Sequence, residues 1–99
     1  MKKDLVVGQC AEIKRMFTED DVFHFARLSG DHNPLHLDQD YASKTLFKKR
    51  VVHGALVNSL FSSLLGTELP GEGSIYCMQN TKFLKPVFIN DTVTASVTI

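Results

Sequence analysis

The chain has 99 residues, 43% of them hydrophobic and 22% charged, with a formal net charge of zero. That length supports one domain with a modest core, a size at which oligomerisation often adds stability. Zero net charge offers no basic face to nucleic acid, and no apolar run is long enough to span a bilayer.

The charged start Met1-Lys2-Lys3-Asp4 leads into no long apolar region, so it does not read as a secretory signal. The cytoplasm is the expected compartment. Cys10 and Cys77 stand far apart without a Cys-x-x-Cys neighbour, and they read as reduced, mostly buried thiols. Residues 1–8 form a lead-in with a turn at Gly8, and residues 9–17 alternate imperfectly, as a strand does. Thr18 then reads as a helix cap, with Asp21 at the reciprocal position and acids in the first turn. Val22, Phe23, Ala26 and Leu28 supply that helix's apolar side, and Gly30 ends it.

A polar loop over residues 31–38 follows, and Pro34 argues against a regular helix through it. Residues 39–47 suit a short helix capped by Asp38, with Tyr41, Ala42 and Leu46 inward. The run Lys48-Lys49-Arg50 reads as a solvated face, with a phosphate-bearing ligand as the other reading. Residues 54–66 carry no charge, and their apolar positions 56, 57, 60, 61, 64 and 65 predict a buried helix stopped by Gly66. A turn at 69–73 precedes a predicted long strand over 74–85, with Pro86 bending its end. After a turn at 89–92, Val93, Ala95, Val97 and Ile99 alternate with Thr94, Ser96 and Thr98 in a second clear strand. The class is α+β.

The stretch Ser29-Gly30-Asp31-His32-Asn33-Pro34-Leu35-His36-Leu37-Asp38 concentrates titratable groups between two helical patterns. A carboxylate and an imidazole can hold a water between them, one taking its proton and the other returning one. Asp31 and His36 suit that work, with Asn33 orienting substrate or loop. On spacing alone a structural account stands beside it: Asp31 as a turn residue, Asp38 as a cap and His36 as a packed core histidine. A metal set of His32, His36, Asp31 and Asp38 needs one helix face, which Pro34 interrupts. The serines lack a nucleophile elbow, and the glycines lack the lysine of a phosphate loop. Gly54 opens the apolar helix; a free N–H there can stabilise a developing oxyanion, unless His53 simply caps the helix and Gly54 packs tightly.

Ser29-Gly30-Asp31-x-Asn33-Pro34-Leu35-His36-x-Asp38 followed by Val52-His53-Gly54 resembles the hydratase motif of MaoC-like proteins, and more closely the short (R)-specific enoyl-CoA hydratases. Leu65-Gly66-x-x-Leu69-Pro70-Gly71-x-Gly73-Ser74-Ile75-Tyr76 and Phe83-x-x-Pro86-Val87-Phe88-x-x-Asp91 fit the same pattern. The resemblance implies a hot-dog fold, an antiparallel sheet around a long apolar helix, paired into a homodimer. It implies reversible hydration of trans-2-enoyl-CoA to (R)-3-hydroxyacyl-CoA. Asp31 and His36 fall on the catalytic pair, Gly54 on the oxyanion N–H, Asn33 and Ser62 on site-lining positions, and Leu65 on the acyl pocket. No metal or redox cofactor is implied, because CoA belongs to the substrate. Lys82, Lys85 and residues 48–50 are the cations available for its phosphates.

The family pattern continues past the strand that ends at Ile99, so residues 1–99 are expected to form one hydratase domain lacking C-terminal strands. The alternatives are a 3-hydroxyacyl-thioester dehydratase acting on a carrier protein, a hot-dog thioesterase, and a non-catalytic acyl-CoA-binding subunit.

Overall fold

The computed structural model describes residues 4–99. The start of the lead-in, with the charged Met1-Lys2-Lys3, lies outside the described residues. Strand β1 (Cys10–Met16) pairs antiparallel with β2 (Thr92–Thr98), in a register that sets Ile13 opposite Ala95. The turn at Gly8 has φ 98°, and its amide donates to the Ile99 carbonyl at 2.8 Å, which carries the ladder past both strand ends. The alternation read from β2 holds: Ala95 is buried, Val93 and Val97 are half-buried, and Thr94, Ser96 and Thr98 face solvent.

Helix α1 (Glu19–Ser29) begins as its sequence dictates. Thr18 Oγ1 accepts from the Asp21 amide at 3.2 Å, while Asp21 Oδ2 accepts from the Thr18 amide at 2.8 Å. Gly30 ends it at φ 81°, a left-handed conformation that costs glycine little. Val22 and Ala26 form its buried stripe; Phe23 and Leu28, predicted inward, are exposed, and Phe25 faces the interior edge instead.

The loop is more helical than predicted. Residues Pro34–Leu37 form one turn, α2, with proline at its first position, where a missing N–H costs nothing. Asn33 Oδ1 caps that turn by accepting from the Leu35 amide at 3.0 Å. Asp38 caps α3 (Gln39–Ser43) as predicted, but only Ala42 of its expected inward residues is buried: Tyr41 is exposed on the helix itself, and Leu46 lies beyond its end. Arg50 is not simply solvated: it reaches Glu19 at 2.8 Å and ties the basic run to the start of α1.

Helix α4 (Gly54–Ser63) is the apolar helix read from the sequence. It does not stop at Gly66. The chain widens into a π-helical segment, Leu64–Glu68, closed by a bond from the Leu69 amide to the Leu64 carbonyl at 2.8 Å. That extra residue lets Leu64 and Leu69 both lie buried, which outweighs the turn chemistry of glycine. The core joins α4 and its extension to the sheet: Phe17, Val22, Val52, Leu60, Leu64 and Ala95.

Two further expectations fail. Residues 74–85 form no strand, and their side chains are largely exposed. A strand exists only with a ladder partner, and among the described residues the sheet is β1 and β2 alone, with residues 74–85 laid against neither free edge. The segment is anchored at its far end instead, where the Val52 amide donates to the Val87 carbonyl at 2.7 Å and Val51 bridges Phe88. Cys10 and Cys77 are free as expected, but exposed rather than buried: Cys10 at an outward position of β1, and Cys77 within the exposed segment 74–85. Among the described residues, no helix is long and apolar enough to cross a membrane.

Candidate active site

The loop between α1 and α2 is built by its own polar side chains. The Ser29 hydroxyl donates to the Phe25 carbonyl at 2.7 Å and accepts from the Asp31 amide at 3.1 Å. Asp31 Oδ1 in turn accepts from the Asn33 amide at 3.2 Å. These short-range bonds fold the loop back on itself, which is what a five-residue Asp–His spacing requires if the two side chains are to meet. Asn33 therefore shapes the loop and caps α2; it does not line the adjacent cavity.

His36 lies on α2 and is 9% exposed. Its Nδ1–H donates to the Val51 carbonyl at 2.5 Å. A carbonyl only accepts, so Nδ1 carries a proton, and in the neutral tautomer Nε2 is the nitrogen with the free lone pair. The Val51 amide donates to the Leu35 carbonyl at 3.3 Å, so the backbone of residue 51 holds the α2 turn from two sides.

His53 completes the cluster. It is 1% exposed and sits at the N-terminal boundary of α4, yet its side chain makes no cap bond there. The ring turns back to the loop: Nε2–H donates to the Asp31 carbonyl at 3.1 Å, and the imidazole stacks on His36 with centroids 3.9 Å apart and planes at 28°. Phe25 meets it edge-on at 4.9 Å. Burial pushes the His53 pKa below its ordinary 6.5; the bond to the Asp31 carbonyl acts the other way, the neighbouring His36 lowers it further, and the Asp31 carboxylate raises it. Nδ1 of His53 is buried without a hydrogen-bond partner among the described residues, at a cost of about 1–3 kcal/mol for such an orphan.

One side-chain donor atom from each of Asp31, His36 and His53 lies within 4.8 Å of the others. As a metal site the trio is poorly shaped. Imidazole lone pairs lie in the ring plane, and two stacked rings at 28° direct theirs side by side rather than at one point. His32, the other member of the i, i+4 pair, turns outward, its Nδ1–H donating to the Gly30 carbonyl at 3.0 Å.

A cavity of about 580 Å³ opens beside this cluster, lined by His36, Gly54, Ala55, Phe47, Phe83 and Lys85 among others. Its wall is mostly apolar, as small-molecule sites usually are. Gly54 is the first residue of α4, so its N–H has no intrahelical acceptor and carries the positive end of the helix dipole. The tight packing expected of Gly54 is also present: a Cβ there would sit 2.9 Å from Phe83 Cε1. His36 and Gly54 thus line one cavity, and the exposed Asp31 carboxylate, which does not line it, lies within 4.8 Å of a His36 ring nitrogen.

Ser62 and Leu65 are not at that place. Ser62 lines an adjacent groove of about 500 Å³ that shares Ala55 with the His36 cavity, and Leu65 lines a further one of about 310 Å³ that shares Ser62. Residues 54, 58 and 62 follow helical spacing along α4 and Leu65 continues it in the π-helical segment; residues 83–87 line the first hollow, and Tyr76–Met78 line the other two. Of the basic residues, Lys85 lines the cavity and Lys82 is exposed. Lys49 and Arg50 line a separate depression beside Phe88.

Sequence reasoning assigned His53 no more than a capping role. The signal that could have found it is that histidine ranks outside the side chains preferred at an N-cap, so its place before Gly54 called for another reason.

The chain is 48% identical over 97 residues to the (R)-specific enoyl-CoA hydratase of Rhodospirillum rubrum, covering 98% of this chain and 67% of that protein. It is 50% identical over 97 residues to the (R)-specific enoyl-CoA hydratase of Aeromonas caviae, covering 98% and 72%. Its structure superposes on the solved (R)-hydratase from A. caviae involved in PHA biosynthesis with a TM-score of 0.94 at 51% identity, over 97% of this chain and 73% of that one. That likeness bears out the hot-dog class, here represented by a two-stranded antiparallel sheet packed on the apolar helix. The family model described as MaoC like domain matches residues 7–99, and the chain belongs to the MaoC-like family.

Proposed function

We propose that this chain is an (R)-specific enoyl-CoA hydratase domain spanning residues 1–99, a hydro-lyase that adds water reversibly to trans-2-enoyl-CoA to give (R)-3-hydroxyacyl-CoA. The observation that carries the reading is one juxtaposition. The Asp31 carboxylate and the His36 imidazole, whose proton is committed to Val51, sit beside an apolar cavity that also receives the N–H end of α4 at Gly54.

Hydration of an unsaturated thioester needs three things, and this group supplies each. A water held between Asp31 and His36 Nε2 loses a proton to the pair as its oxygen bonds C3. The C2=C3 electrons move toward the thioester oxygen, where Gly54 N–H and the α4 dipole stabilise the charge. As that enolate collapses, the pair delivers a proton to C2. Delivery of oxygen and hydrogen from one side makes the addition syn. Such acid–base assistance contributes ~10²–10⁴-fold, and one oxyanion donor a comparable ~10²–10³-fold.

The reaction is redox-neutral, and its charge is handled by these groups, so it calls for no metal or redox cofactor. The acyl chain runs along the side of α4 past Ser62 to Leu65, with Asn33 holding the loop and Lys85 available to the CoA phosphates. We assign the chain to a homodimer. Ile75, Met78, Phe83 and Leu84 are 66–86% exposed on one stretch without ladder partners, an apolar edge that pairing would cover. Two free, exposed cysteines suit the reducing cytoplasm.

The test is the loss of enoyl absorbance when the purified chain meets a trans-2-enoyl-CoA, followed by chiral analysis. The (R)-3-hydroxyacyl-CoA is expected. An (S) product, release of free CoA thiol, or saturable binding without turnover would each overturn the reading. A preference for carrier-protein thioesters over CoA would reassign it to a dehydratase of fatty-acid synthesis.

A further inference from the structure

His53 is the one member of the Asp31, His36 and His53 cluster that the proposed chemistry does not use. We propose that it is a positioning residue: neutral, with its proton on Nε2, it fixes the Asp31 loop and the His36 ring relative to the first amide of α4.

Packing alone does not explain an imidazole at this position. A phenylalanine would fill the same space between Phe25 and His36 without leaving a buried nitrogen unpartnered. What phenylalanine lacks is the Nε2–H bond to the Asp31 carbonyl, which joins residues 22 positions apart. The other bonds to Asp31 come from Ser29 and Asn33, within its own loop. Residue 51 holds the α2 turn, and His53 ties Asp31 itself to the start of α4. The residue that holds the Asp31 backbone is also the one preceding Gly54, and its ring face sets the height of His36. Three groups that must sit within a fraction of an ångström of their working geometry are thereby registered through one side chain.

The protonation state matters to this role. A proton on Nδ1 instead would set the Nε2 lone pair against the Asp31 carbonyl oxygen and abolish the bond. A proton on both nitrogens would stack a cation on His36. The groups facing His53 are His36 and Asp31, of opposite influence, and burial within the cluster favours the neutral ring.

The inference rests on the hydratase reading for its kinetics, so the experiment has an arm that does not need turnover. Glutamine places an amide N–H near where His53 carries Nε2–H, whereas asparagine places one near Nδ1. His53→Gln is expected to keep most of the wild-type kcat. His53→Asn is expected to lose roughly 10²-fold in kcat with KM little changed, the scale of a 1 Å misplacement. Nitrogen-15 spectra of the imidazoles form the second arm. They are expected to show His53 as the neutral Nε2–H tautomer, with the His36 ring resonances displaced in His53→Asn and returned toward wild type in His53→Gln. Equal kcat in folded His53→Asn and His53→Gln proteins, or a wild-type His53 protonated on Nδ1, would overturn the assignment. If the wild-type chain fails to hydrate, the hydratase reading falls and the spectra still decide the role of His53.

Discussion

Gly54→Ala separates the chemistry of this site from its stability. The added Cβ meets Phe83 Cε1 at 2.9 Å, Cδ1 at 3.0 Å and Cζ at 3.3 Å. Phe83 is 66% exposed, so its ring can swing outward without disturbing the core. Alanine also suits a helix better than glycine, by about 0.5–1 kcal/mol at interior positions and less at the first turn. These terms oppose each other, and the net change in unfolding free energy is expected to stay within about 1 kcal/mol. Activity is another matter. Gly54 lines the His36 cavity, and a methyl group beside its N–H fills the space a thioester oxygen needs. Loss of one oxyanion donor costs roughly 10²–10³-fold in kcat, about 2.7–4 kcal/mol of transition-state stabilisation. Urea denaturation and enoyl-CoA hydration kinetics on the same preparation measure both. A variant as active as wild type and equally stable would refute the role given to Gly54. So would activity lost only in proportion to unfolding.

Leu64→Ala is the complementary change. Leu64 is 0% exposed, lies in the core and does not line the His36 cavity. It should cost about 2.7–5 kcal/mol in urea denaturation, while the fraction that stays folded hydrates with near-wild-type kcat. Thr18→Ala removes half of the capping box of α1 and should cost about 1 kcal/mol in the same assay. Burial holds the His53 pKa below its ordinary 6.5, so the unfolded chain takes up a proton there before the folded one does. The stability this group contributes is therefore complete above about pH 6.5 and declines as pH falls below it. Thermal melts from pH 8 to pH 5 should show that decline in the wild type and a shallower one in His53→Gln.

Much of this was legible in the sequence, and the exceptions share a cause. The α1 boundaries were readable because Thr18, Asp21 and Gly30 act through bonds three or four residues long. The β2 alternation was readable because one face of it meets the core. Residues 74–85 have equally strong strand composition, yet strand formation depends on a partner that local sequence does not specify. Gly66 looked like a stop, but burial of Leu64 and Leu69 decided the path. At the site, Asp31 and His36 stood out by chemical type. His53 did not, since its role depends on a bond across 22 positions and a stack against another ring. Ser62 and Leu65 were placed by resemblance; helical spacing lines them up with Gly54, but in hollows adjoining the His36 cavity rather than within it.

The central claim is that Asp31 and His36 act on one water. Hydration of crotonyl-CoA by wild type, Asp31→Asn and His36→Ala, each checked for folding by circular dichroism, tests it most directly. Each substitution is expected to lower kcat by about 10²–10⁴-fold while the protein stays folded. Turnover at the wild-type rate by folded Asp31→Asn and His36→Ala proteins would contradict the account.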